Sequence, residues 1–231
     1  MPTDIFKFWA QMKPHERTHP ADRDVFSRVG DFGHAFDLRC LPGNIAGPLR
    51  TARVVLLFLS PGFSELDVRR ARSKAWQQHA ADKRTGRAPF RDDGAGYSWL
   101  MSRTKVFGLD DETVRTKFSV MNIGAYHSKD FHDWHLLAAL PSSRVSLDWA
   151  QGVLFPQAIR GERVVICMRA ASFWGLCQGE RYGKGLFAPF VNRGGFMRKS
   201  TPAEAKMRDQ IISAVQRAVD RRGPSRRIVP N

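Results

Sequence analysis

Apolar residues along this chain come in short runs separated by stretches of helical length. The first run, Val54-Val55-Leu56-Leu57-Phe58-Leu59, ends abruptly in Ser60-Pro61-Gly62. Six apolar residues without alternation suit a strand covered on both faces, as in a parallel sheet. Further strands are predicted over 117–123 (KFSVMNI), 163–168 (RVVICM) and 185–191 (GLFAPFV). Helices are predicted between them. One over 65–81 starts at Ser64, with Asp67 three residues on approximating a capping box, and offers Leu66, Ala71, Ala75 and Trp76 as buried positions. Others are predicted over 97–106, 130–140 and 143–159, the last disturbed at Pro156, and 170–176 reads as a turn with a short helix. The clearest start is Thr201-Pro202-Ala203-Glu204, with Thr as cap, Pro at the first position and Glu at the third. The helix it opens runs to 219, with Met207, Ile211, Ala214, Val215 and Ala218 on one face.

The remaining segments read as connections. Residues 1–50 look irregular with short helices, in which Ile5-Phe6-Lys7-Phe8-Trp9 serves as an aromatic anchor, and 39–48 is rich in turn residues. Residues 83–96, with Gly86, Pro89, Gly94 and Gly96, read as a long surface loop. Strands alternating with helices imply an α/β protein with a mostly parallel, four-stranded central sheet. The expected organisation is one domain over 1–219, with 1–50 packed on it as an extension, and a basic flexible tail over 220–231.

Composition narrows the choice of partner. Of 231 residues, 42% are hydrophobic, and no apolar run approaches the roughly 18 residues of a membrane span. The start of the chain has no secretory pattern. Three scattered cysteines, Cys40, Cys167 and Cys177, fit a reduced cytoplasm better than a disulfide framework. Lys and Arg number 37 against 22 acids, a net of +15. This balance favours an anionic partner, nucleic acid or nucleotide, and the arginine fork suits phosphate. An arginine-rich proteome would raise the charge equally well.

Ligand sites of open α/β sheets lie beyond the carboxyl ends of the strands, so the strand-end loops hold the candidates. Pro61-Gly62 allows a sharp turn and a close backbone approach, and Phe63 could stack on a base or enter the core. Asn122, ending a buried strand, offers a donor and an acceptor that match a pyrimidine edge, or it ties two loops together. Tyr126 and His127 follow, and His127 is a candidate proton donor or a satisfied polar residue. Asn192-Arg193-Gly194-Gly195 offers an amide and an anion-binding fork, or a plain turn, and Arg169 is a further anion ligand. The His127, Asp130, His132, Asp133, His135 cluster lacks a metal-site pattern, so neither metal nor cofactor is expected. Cys167 sits inside an apolar strand, and Leu59-Ser60-Pro61-Gly62 is not a nucleophile elbow.

Taken together, these loops resemble the uracil-DNA glycosylase superfamily over roughly residues 50–218. Leu59-Ser60-Pro61-Gly62-Phe63-Ser64 is similar to the first motif of the mismatch-specific branch, a strand ending in Asn-Pro-Gly, an apolar residue and Ser. Val120-Met121-Asn122-Ile123 is similar to the strand whose Asn reads uracil, and the last motif falls near 190–195. The resemblance implies a three-layer α/β/α sandwich that binds nucleic acid or a nucleobase, with N-glycosidic hydrolysis as its chemistry. Pro61, Gly62, Asn192 and Arg193 would contact phosphate or base, Phe63 would stack and Asn122 would read the base. His127 would stabilise the leaving base and Ser60 would orient water. Ser60 stands where active members carry Asp or Asn, and the last motif lacks Pro-Ser and the wedge that fills the vacated stack. The alternatives are a non-catalytic nucleic-acid-binding module and an enzyme acting on a small nucleotide or nucleoside.

Overall fold

A computed structural model describes residues 2–31, 33–91 and 95–220. Its centre is a six-stranded sheet of β2 (Ile45–Ala46), β3 (Val54–Phe58), β4 (Phe118–Asn122), β6 (Val164–Cys167), β7 (Glu180–Tyr182) and β8 (Leu186–Ala188), in the order β2-β4-β3-β6-β8-β7. The four inner strands β4, β3, β6 and β8 run parallel, and β2 and β7 close the two edges antiparallel. These four are the strands that the apolar runs predict. A separate two-stranded ladder pairs β1 (Phe36–Asp37) with β5 (His127–Ser128).

Every residue of β3 is buried, as continuous apolar runs require when both faces are covered. Val55 and Leu57 enter one cluster with Met121, Val165 and Cys167. It is covered by α1 (Ile5–Trp9), α8 (Pro141–Trp149) and α9 (Phe155–Arg160), through Ile5, Trp9, Trp149 and Phe155. Val54, Leu56 and Phe58 enter the other cluster, covered by α5 (Ala95–Thr104), α6 (Asp111–Lys117) and α10 (Pro202–Asp220) through Leu100, Val114, Ile211 and Val215. Each large apolar side chain buried this way contributes about 1.5–3 kcal/mol. A third cluster joins Phe26 of α2 (Arg23–Val29), Phe36, Tyr126, and Leu136 of α7 (Trp134–Ala139). The aromatic anchor at residues 5–9 is thus core: Ile5 and Trp9 are fully buried.

Several elements differ from the sequence pattern. The helix expected over 65–81 is two helices, α3 (Glu65–Arg70) and α4 (Lys74–Arg84), because Ser73 takes an extended backbone. α3 buries only Val68. The break frees α4 to direct Arg84 onto the Lys13 carbonyl and Met12 sulfur. α4 therefore occupies the start of the expected 83–96 loop, whose residues 92–94 lie outside the described ones, as does the tail from 221. The disturbance at Pro156 is a wide π turn, Ala150–Leu154, that keeps α8 and α9 continuous. The proline ring would clash with the Gly152 carbonyl in α geometry, and widening the turn relieves it. No helix among the described residues is long and apolar enough to cross a membrane.

Candidate functional site

The parallel strands deliver four segments to one edge: 59–64 after β3, 123–128 after β4, 168–175 after β6 and 189–197 after β8. The first two are joined by backbone. Phe58 pairs with Asn122, and Gly124 N–H donates to the Leu59 carbonyl at 2.8 Å. A Cβ on Gly124 would stand 3.7 Å from the Ser60 Cβ, so the strand ends lie in direct apposition. Segment 41–44 crosses both: Gly43 N–H donates to the Ala125 carbonyl, and Asn122 N–H to the Asn44 carbonyl, each at 2.8 Å. The Asn122 amide donates through Nδ2 to the Gly43 carbonyl at 2.8 Å, which fixes its plane. Of its two sequence readings, the loop tie is therefore the one seen. Phe63 is half-buried and belongs to none of the three apolar clusters. Ser64 caps α3, its Oγ donating to Asp67 Oδ2 at 2.7 Å and accepting from Asp67 N–H. Ser60 and Pro61 are half-buried and Gly62 is exposed.

His127 lies under the first loop as a clamp. Its Nδ1 donates to the Gly62 carbonyl at 2.7 Å, and the side chain is 13% exposed. Burial pulls the ring below the ordinary histidine value, against Asp67 and the Gly62 carbonyl, which favour protonation. Asp67 Oδ2 is 3.9 Å from Nδ1. Lys83 from α4 faces the same group and is itself pulled down by burial, with Asp67 opposing. His127 is thus a neutral ring held by the loop it was expected to serve. Tyr126 points away from the edge. Its hydroxyl donates to buried Asp22 at 2.5 Å and accepts from His19 N–H at 3.1 Å. Burial, then the Asp22 charge, raises the phenol well above its usual range. Tyr126 is a core polar anchor and no contact for a ligand.

The other two segments are open. Arg169 is exposed just beyond β6. Ala170 follows with φ 59° and ψ 42°, the one non-glycine residue with positive φ among those described. That conformation costs a residue with a Cβ about 1–2 kcal/mol. It is held by Phe173 N–H and Trp174 N–H donating to the Ala170 carbonyl. The turn lifts Phe173 to 40% exposure, where it stacks on Trp134 at 4.4 Å, itself 41% exposed. Asn192 accepts from Gly194 and Phe196 N–H through Oδ1, so its amide oxygen builds the turn, while Arg193 stands exposed at its tip. Trp134, Phe173, Phe190 and Phe196 are four of the five exposed large apolar side chains in the described residues, and all four lie past the carboxyl ends of β4, β6 and β8.

The site residues expected from sequence thus divide. Ser60, Pro61, Gly62, Phe63, Asn122 and His127 share one knit end of the edge, and Arg169, Asn192 and Arg193 occupy the other. A cavity of about 150 Å³ and an open one of about 510 Å³ are both lined without Ser60, Phe63, Asn122 or His127. Proton transfer has few candidates at the knit end: the carboxylate beside His127, Asp67, is bonded to Ser64, and buried Cys40 and Cys167 are thiols pushed up to about 12. No group of three His, Cys, Asp or Glu side chains fit to hold a metal occurs among the described residues, and Asp133 instead accepts from Ala35 N–H. What this edge can offer a ligand is stacking area, arginine forks and fixed amide and carbonyl groups. The sequence reading passed over Trp134, Phe173, Phe190 and Phe196 as site residues; only Trp134, between Asp133 and His135, stood out as an aromatic among polar neighbours. Comparison with protein-family models, with curated proteins and with solved structures gives no match for this chain.

Proposed function

We propose that this chain binds nucleic acid across the carboxyl edge of its sheet, as a divergent, non-hydrolytic protein of uracil-DNA glycosylase type with a three-layer α/β/α fold. The observation that carries the reading is the set of exposed aromatics in the segments that follow β4, β6 and β8, with Arg169 and Arg193 exposed in the same segments. Aromatic faces hold bases by stacking whatever their sequence, and arginines hold the intervening phosphates. The net charge of +15 adds long-range attraction for a polyanion. The knit end, with the amide of Asn122 beside Ser60-Pro61-Gly62, is where a single extruded base would lie.

Hydrolysis is the second reading, and it rests on the position of Asn122 at the end of β4, next to the Ser60-Pro61-Gly62 turn, although its Nδ2 is bonded to the Gly43 carbonyl. Against it stands Ser60, which carries no charge and acts poorly as a base at neutral pH. The deciding experiment incubates the protein with uracil-containing and mismatched DNA, single- and double-stranded, and scores both binding and abasic sites. The expected result is binding that weakens steeply with salt and leaves the DNA intact. Base release that disappears in Asn122→Ala would replace this reading by the second. Absence of any binding would remove both.

A further inference from the structure

The cavity of about 150 Å³ lies between α5, the 192–197 turn and the first half of α10. Its lining includes Arg103, Lys199 and Arg208, with Ser102 and Phe196, and no carboxylate. The Arg103 guanidinium is fixed by the Gly194 carbonyl (Nη2 at 2.9 Å), Ser102 Oγ (Nη1 at 2.6 Å) and the Trp99 carbonyl. It also lies over the Phe196 and Trp99 rings, at 4.6 and 4.8 Å from their centroids. Of the acids near this wall, Asp209 follows Arg208 and is exposed without lining the recess, and Glu204 is committed: Arg198 holds one oxygen at 3.1 Å, and Ser200 and Thr201 N–H the other. Among the described residues, none of the three cations forms an ion pair. Three cations converging on a recess without a counter-charge repel one another, and the folded state gains from an anion that fills it.

We propose that this pocket is a phosphate subsite, taking one phosphodiester of a nucleic-acid strand while an adjoining base stacks on Phe196. The phosphate could equally belong to a free nucleotide; the strand as its source rests on the nucleic-acid reading above. Two guanidinium forks and an ammonium group match the tetrahedral oxygens of phosphate, Arg103 bringing the most fixed geometry and Arg208 and Lys199 the adaptable charge. Phe196 is 39% exposed and supplies the flat face a base needs beside the anion.

The test compares the wild type with a Lys199→Gln/Arg208→Gln pair, using fluorescein-labelled octathymidylate and thymidine 5′-monophosphate across a salt series. Arg103 is left in place because its side chain also packs. A charge-matched control carries Arg160→Gln and Lys184→Gln, exposed positions at the opposite, amino edge. The pocket pair is expected to lose at least about tenfold in octathymidylate affinity, and about 0.7 of salt slope for each cation removed, beyond the control. Lys199→Arg/Arg208→Lys keeps the charges and is expected to keep the slope, and matching urea midpoints exclude unfolding. Binding of the wild type with no greater loss in the pocket pair than in the control overturns the subsite and leaves the nucleic-acid reading standing. Binding of the mononucleotide alone, competed by inorganic phosphate and lost in the pocket pair, keeps the subsite and overturns the strand. Failure of the wild type to bind either probe overturns both.

Discussion

The two ends of the carboxyl edge use their residues in opposite ways. Beyond β3 and β4, polar groups are spent on one another: His127 on Gly62, Asn122 on Gly43 and Ser64 on Asp67. Beyond β6 and β8, Arg169, Phe173, Phe190, Arg193 and Phe196 face solvent. The strand-end position that marks a ligand site in such sheets is common to both, so position alone does not assign function. What separates them is whether the side chains have already found partners within the fold.

The largest way to break this contrast is through the anchor beneath the knit end. Asp22 is fully buried and accepts from the Tyr126 hydroxyl and Ser142 N–H. Asp22→Ala leaves both donors without a partner, and is expected to destabilise the fold by about 3 kcal/mol, lowering the urea midpoint by about 1.5 M. A midpoint unchanged within error would mean that this end is not held as described. The open end is expected to behave oppositely. Trp134→Ser with Phe173→Ser should shift stability by only about 0.5 kcal/mol, as exposed positions do. Octathymidylate affinity should fall about tenfold or more, since each base stack contributes about 1–3 kcal/mol. Lost stability with unchanged binding would reverse the assignment of the two ends.

The smallest effect is a pH dependence. Burial lowers the His127 value, so the folded state favours the neutral ring, and its contribution is complete above the ordinary histidine value of 6.5. That contribution is lost as the pH falls through 6.5 towards the depressed folded value. Asp67, Lys83 and Asp37 are the charged groups facing the ring, and Asp37 is held below the usual carboxylate range by Arg39, so it stays ionised across this window. His127→Gln should therefore flatten the fall of stability as the pH drops below 6.5, by at most about 1.4 kcal/mol per unit. An identical slope in wild type and variant would show that the ring is not buried as a neutral clamp.

The inner sheet was legible in the sequence because residues 54–58 and 164–167 are apolar without a break, and nothing but a strand covered on both faces buries such a run so briefly. The edges were not legible. β2 and β7 span two and three residues, too short for any periodicity to register. α6 went unseen because it buries a single residue, Val114, and so shows no stripe. The location of the candidate site was legible, but the duties of its members were not. Tyr126 and His127 read as reagents because their real partners, Asp22 and the Gly62 carbonyl, are brought to them only by tertiary structure. The Trp134–Phe173 stack joins two segments on different strand ends, and no spacing announces it.

Ala170 shows what that stack rests on. A glycine there would adopt the left-handed turn without cost and could leave it as easily, whereas an alanine stays only because its carbonyl is gripped by Phe173 and Trp174. To carry the backbone of Phe173 away, the turn would first have to give up those bonds. The aromatic platform is therefore presented rather than deployed: a visitor meets a surface already in shape, and the time needed to dock is set by its own approach.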